Sequence, residues 1–227
     1  MCGRFTLTRL EDFIRDIPFV LPPDAWPAPR YNVAPSQPVA AALNLPRPKV
    51  EMLRWGLVPA WAKDPSIGQR LINARAETLA QKPAFRSALR RRRCAVIADG
   101  FYEWRTHADG RTRTPMLIRL EDGRPFAMAG LWERWAPPDG PALLSCAIIT
   151  TRPNELMATI HDRMPVILDA DGLRTWLDSE ERPPERFADL LGPYPASRMR
   201  ATPVSRLVND PRNDTPACLK AAEDLFS

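Results

Sequence analysis

Cys94-Ala95-Val96-Ile97-Ala98-Asp99-Gly100-Phe101-Tyr102-Glu103-Trp104 decides how this chain folds. Its first five residues are a continuous apolar run of the length of a buried strand. Asp99-Gly100 is a turn signal. Beyond the turn one carboxylate, Glu103, sits between aromatic residues. A carboxyl in apolar surroundings has a raised pKa and suits acid/base chemistry. On an alternating strand the same residue instead points outward to solvent.

Working outward, residues 107–113 make a polar hairpin turn around Asp109-Gly110. Residues 116–120, 126–132 and 143–151 are further strands, joined by turns at Asp122-Gly123 and Asp139-Gly140. Upstream, residues 39–45 and 50–55 pair as a hairpin across Pro46-Arg47-Pro48. Residues 198–204 supply a last strand. Between the strands lie short helices. Residues 9–17 place Leu10, Phe13, Ile14 and Ile17 on one face. Helical sequence from Thr78 breaks at Pro83 and resumes through Arg93. Pro153 opens a short helix over 153–159, two more flank Pro183-Pro184, and the chain ends in a short helical tail. Many short strands with a few helices predict an α+β fold. It is a single domain over residues 1–227, a curved, mostly antiparallel sheet with a barrel-like core and short flanking helices.

Composition supports a packed core: 44% of the 227 residues are hydrophobic. The net charge of +5 comes from 32 Lys+Arg against 27 Asp+Glu. That balance allows a polyanionic partner, and most of the cations are arginines, which suit bidentate phosphate contacts. The 26 prolines cut the chain into short elements and ordered loops. Cys94 and Cys146 sit in apolar runs and are expected to be buried. No CxxC pair or Cys/His spacing fits zinc, and neither metal nor cofactor is expected. GxGxxG, the P-loop and HExxH are absent. With no secretory apolar stretch and no membrane-length run, the expected location is cytoplasmic.

Five positions carry chemistry. The first is in Met1-Cys2-Gly3-Arg4-Phe5. Removal of Met1 makes Cys2 the first residue, with an α-amine (ordinary pKa about 7.7–8.0) beside a thiol (about 8.5). Amines attack carbonyls to give Schiff bases. A thiol two carbons away then closes a thiazolidine ring, with the advantage of a tethered reactant. Otherwise Cys2 is a small residue on a frayed terminus. Asn73 and Arg75 lie in the polar stretch Asn73-Ala74-Arg75-Ala76-Glu77. Glu103 is the carboxylate described above. His161 is one of only two histidines; it follows an apolar helix, has Asp162 and Arg163 beside it, and precedes Pro165. His107, in a polar turn, is expected to be inert. Trp55 and Trp61 flank a Gly/Pro loop and are either core or a stacking surface. Arg90-Arg91-Arg92-Arg93 is either a solvated helix end or a nucleic-acid patch, and the first is favoured.

Taken in order, these segments resemble the SRAP family (SOS-response-associated peptidase, also called abasic-site processing proteins). The matching stretches are Met1-Cys2-Gly3-Arg4-Phe5, Tyr31-Asn32-Val33-Ala34-Pro35, Trp55-Gly56, Ile72 to Glu77, Ala98 to Trp104, Gly130-Leu131-Trp132, Ile160 to Pro165 and Pro203-Val204-Ser205. The resemblance implies binding to abasic sites in single-stranded DNA and covalent capture of the sugar aldehyde by Cys2. It implies that Asn73 positions the sugar, that Glu103 shuttles protons, and that His161 assists ring opening as a general acid. Arg4, Arg75 and Arg163 would contact flanking phosphates. Trp61 would stack on a base, and Thr150 would border the pocket. A monomer is expected, associated with the nucleoid when bound to DNA. Two other classes use the same residues: an N-terminal-nucleophile amidohydrolase or peptidase, and a non-catalytic binder of single-stranded nucleic acid carried by the arginines and Trp61.

Overall fold

The computed structural model describes residues 2–137 and 139–222. Met1 and the last residues of the expected helical tail lie outside them. In chain order the strands are β1 (Phe5–Leu7), β2 (Arg30–Val33), β3 (Pro38–Leu43), β4 (Lys49–Trp55), β5 (Asn73–Arg75), β6 (Arg93–Ala98) and β7 (Gly100–Thr106). They continue as β8 (Arg113–Leu120), β9 (Phe126–Trp135), β10 (Leu143–Thr151), β11 (Met164–Pro165), β12 (Ile167–Leu168) and β13 (Met199–Pro203). The α-helices are α1 (Leu10–Asp16), α2 (Arg86–Arg91), α3 (Glu155–Ala158) and α4 (Ala170–Trp176).

The larger sheet closes on itself. Strands β10, β4, β3, β6 and β9 follow one another, and β9 also pairs with β10, which completes a five-stranded barrel. Closure removes the exposed edges that an open sheet must otherwise protect. All pairings in the ring are antiparallel except β10 with β4. β6 is buried along its whole length. Its inner side chains fill the barrel, while β1 and helices α1, α2 and α4 pack against it. A strand covered on both faces reads as an unbroken apolar run, which is what residues 94–98 do. The second sheet is antiparallel, in the order β13-β8-β7-β1-β2. The fold is therefore the α+β, mostly antiparallel, barrel-cored architecture that the sequence predicts.

β6 and β7 are joined through Asp99, so they leave the turn in different sheets. The period of two then sorts the β7 side chains. Phe101 joins the main core, whereas Tyr102 joins a small cluster with Leu117, Val204, Val208 and Cys218. Glu103 is in phase with Phe101, and it is buried. Its strand alternation points it inward, so the solvent-facing alternative does not hold.

The arginine run departs from expectation. Arg90 and Arg91 are solvated and share Glu181, each at 2.9 Å. Arg92 pairs with Glu133 at 2.6 Å. Arg93 opens β6 and is fully buried. Its guanidinium donates to the carbonyls of Leu89, Arg90, Trp176, Asp178 and Glu180, and it lies over the Phe187 ring. The helix stops after Arg91, and the last arginine of the run donates to carbonyls around the ends of α2 and α4, where helical backbone acceptors lose their in-helix partners.

Candidate active site

Strand register delivers the amino-terminal segment to Glu103. β1 pairs with β7 through Phe5 opposite Phe101, and the Tyr102 amide donates to the Arg4 carbonyl at 2.9 Å. The segment before β1 therefore runs antiparallel along β7 towards Glu103. Asp99 fixes this placement from the turn. Its carboxylate accepts from Thr6 Oγ1 (2.9 Å), Thr8 N (2.6 Å) and Thr8 Oγ1 (2.6 Å). Cys2 ends up fully buried, and its carbonyl accepts from Asn73 Nδ2 at 2.8 Å.

The carboxyl-terminal half of β10 brings in the other partners. β5 runs parallel to it, with Asn73 opposite Ile148 and Arg75 opposite Thr150. β11 pairs on it with Pro165 opposite Thr150. Between α3 and β11 lies the turn that carries His161. Asn154 caps α3 by accepting from the Met157 amide at 2.8 Å, and the His161 amide donates back to the Met157 carbonyl at 2.8 Å. The ring is thereby aimed at β7, with Nε2 3.9 Å from Glu103 Oε2. Cys2, Asn73, Glu103 and His161 are thus brought into one site from four separate segments.

The electrostatics of the site follow from burial. Removal from water, with the charge of Asp162 adding to it, raises the Glu103 carboxyl from 4.5 to about 7. Burial, reinforced by the negative charge of Glu103, pushes the Cys2 thiol far above its ordinary value, although the Arg4 amide donates to the sulfur. Burial lowers His161, which is therefore neutral near pH 7. Asn73 Oδ1 is buried with no hydrogen-bond partner among the described residues, although its amide nitrogen is anchored on Cys2. A buried acceptor of this kind can take a hydroxyl or amine donor from a ligand.

The other residues singled out from the sequence sit as follows. Arg75 is exposed at the end of β5. Trp61 is 61% exposed, on the loop that Trp135 Nε1 anchors through the Ala62 carbonyl at 2.7 Å; its core alternative is excluded. Trp55 is core, packed on Phe5 with ring centroids 5.3 Å apart. Arg4 is half-buried and donates to Asn32 Oδ1 (2.8 Å) and the Val208 carbonyl (2.7 Å), with Trp104 beneath its guanidinium. Arg163 forks onto Glu77 at 2.7 and 2.9 Å and donates to the carbonyl of buried Thr150 at 2.6 Å. The His107 ring bonds its hairpin neighbour Thr114 at 2.8 Å, within its own turn. Three supporting residues were not among the candidates from the sequence: Asp99, read there only as a turn position, Asp162, read only as a neighbour of His161, and Glu77. Each lies inside a stretch quoted there, and the turn position of Asp99 was the available signal. No group of three His, Cys, Asp or Glu side chains among the described residues could hold a metal ion, and no described helix is long and apolar enough to cross a membrane.

Comparison with known proteins gives the family. The family model for SOS response associated peptidase (SRAP) matches residues 1–211. The abasic site processing protein YoqW of Bacillus subtilis (strain 168) is 48% identical over 225 residues, covering 97% of this chain and 100% of that protein. The abasic site processing protein HMCES of Xenopus tropicalis is 31% identical over 264 residues, covering 97% of this chain and 78% of that protein. A crystal structure of a Bacteroides thetaiotaomicron protein superposes with a TM-score of 0.76 at 29% identity, covering 85% of each chain. With the fold, the site and these likenesses in agreement, the chain belongs to the SRAP family of abasic site processing proteins.

Proposed function

We propose that the chain captures abasic sites in single-stranded DNA as a thiazolidine on Cys2, after Met1 has been removed. The observation that carries this reading is the buried Glu103 carboxyl, near 7, set between Cys2 and His161. A carboxyl at that value is half ionised near neutrality. It can take a proton from the α-ammonium and return one to a departing hydroxyl.

The chemistry balances as follows. The freed amine of Cys2 adds to C1 of the open-chain sugar, forming a C–N bond and a carbinolamine. The hydroxyl leaves as water with a proton from Glu103, giving the imine. The Cys2 sulfur then bonds to the same carbon, and its proton passes to nitrogen. Because burial keeps the thiol protonated, the amine reacts first and the sulfur closes the ring. Asn73 holds the residue by its carbonyl, so both nucleophiles are oriented before the sugar arrives. His161 supports ring opening of the closed sugar as an acid. In this reading the acting form is a monomer. In this reading Arg75 contacts a phosphate and Trp61 stacks on a base, and the exposure of both side chains supports it. Arg4 and Arg163 also contact phosphates in this reading, through the donors that their internal bonds leave over.

The test is incubation of purified protein with single-stranded DNA carrying an abasic site, resolved on a denaturing gel. A heat-stable adduct that forms without borohydride is expected for the wild type and not for Cys2→Ala. The same adduct from Cys2→Ala would exclude the thiazolidine. Binding without any adduct from the wild type would leave a non-catalytic binder.

A further inference from the structure

His161 Nδ1 has two neighbours with opposite requirements. The Arg163 backbone amide donates to it at 3.0 Å, and Asp162 Oδ1 lies 2.9 Å away. An imidazole nitrogen accepts from an amide only when it carries no proton, and it donates to a carboxylate only when it carries one. The two contacts therefore belong to two protonation states of one ring. In the neutral ring the Arg163 amide holds Nδ1 bare, so the proton is on Nε2, which faces Glu103 at 3.9 Å. In the imidazolium, Nδ1–H turns to Asp162, and Nε2–H still faces Glu103.

We propose that Asp162 is a positioning residue for His161, holding the imidazolium by Nδ1 so that Nε2–H stays presented to the site in both states. This rests on the reading above, in which His161 acts as an acid. Most of what surrounds the ring disfavours its charge. Burial acts against it, as do the amino-terminal charge of the chain and Arg113 of β8. The negative charges nearby are Glu103 of β7 and Asp162 itself. Glu103 is needed for its own proton transfers, so Asp162 is the carboxylate left to stabilise the imidazolium. At 86% side-chain exposure, it can do so without the cost of burying a second carboxylate. Its exposure also means that its replacement does not threaten the fold.

The chain has only two histidines, His107 and His161, so a His107→Gln background leaves the His161 ring as the one imidazole signal for NMR. In Asp162→Asn, the His161 titration is expected to move down by about half a pH unit, the size typical of a solvent-facing ion pair. The neutral ring keeps its proton on Nε2 by nitrogen-15 shifts. The fall in adduct formation as pH rises through the His161 titration moves in the same direction, because an acid must carry its proton, and Asp162→Glu restores part of both. A His161 titration that does not move overturns the proposal, as does one that moves while the pH profile stays in place. If the wild type forms no adduct, the proposed function fails, and the titration and nitrogen shifts then decide on Asp162 by themselves.

Discussion

Glu103 is the residue on which both stability and chemistry turn. Its carboxyl lies at about 7 when folded against 4.5 ordinarily. A raised value means that the folded state holds the proton more tightly than the unfolded chain. The resulting contribution to stability is complete below about pH 4.5 and is lost as pH rises through 7. Glu103→Gln carries no such proton. In urea unfolding it is expected to gain on the wild type between pH 5 and pH 8, by up to about 3 kcal/mol. In the proposed reaction the wild type is expected to form adduct faster as pH rises through 7, and the same substitution to flatten that rise. A stability difference independent of pH would mean that the carboxyl is not perturbed. The sequence showed the apolar neighbours of Glu103 but not its burial, because burial depends on which face of β7 meets the barrel.

At the scale of elements, β1 is the critical piece. It has three residues, too few to hold its register by ladder bonds alone. Asp99 adds three hydrogen bonds to Thr6 and Thr8 from a buried position. Asp99→Ala leaves these donors unsatisfied. It is expected to cost about 2–4 kcal/mol by denaturant titration, and to slow adduct formation in protein that is still folded, because Cys2 loses its fixed approach to Glu103. An unchanged adduct rate would show that β7 pairing suffices. The main barrel strands were legible from apolar runs and turn signals, but the short β1, β2 and β5 were not, because three or four residues carry too little periodic pattern. Nor was the arginine run. Four like residues look uniform in one dimension, yet α2 ends inside the run. The last arginine enters a strand covered on both faces, and only the carbonyls around it make its burial tolerable.

For the whole molecule, closure of the barrel depends on close approach at Gly130. In β9 this residue pairs with Cys94 of β6 on one side and Ile148 of β10 on the other. A β-carbon there would lie 2.9 Å from the Ala147 carbonyl oxygen and 3.0 Å from Cys94 Sγ. Gly130→Ala is expected to destabilise the protein by about 1–3 kcal/mol, measured as a lowered denaturation midpoint. An unchanged midpoint would show that the barrel wall relaxes at this point. The barrel also explains how the site assembles. The segments that carry Asn73 and His161 come to one end of the barrel because β5 and β11 both pair on the last residues of β10, a connection that no local pattern records.

The sequence by itself determined the fold class, the main barrel strands with their turns, and which residues are candidates for the site, because apolar periodicity, glycine turns and ordered motifs are local properties of the chain. Tertiary structure alone decided that Glu103 and Arg93 are buried, that Trp61 is exposed, and that Arg163 is forked onto Glu77. It also decided that His161 is shared between an amide and a carboxylate. The physical reason is that periodicity fixes which residues share a face, while burial, charge pairing and pKa depend on what a distant part of the chain lays against that face.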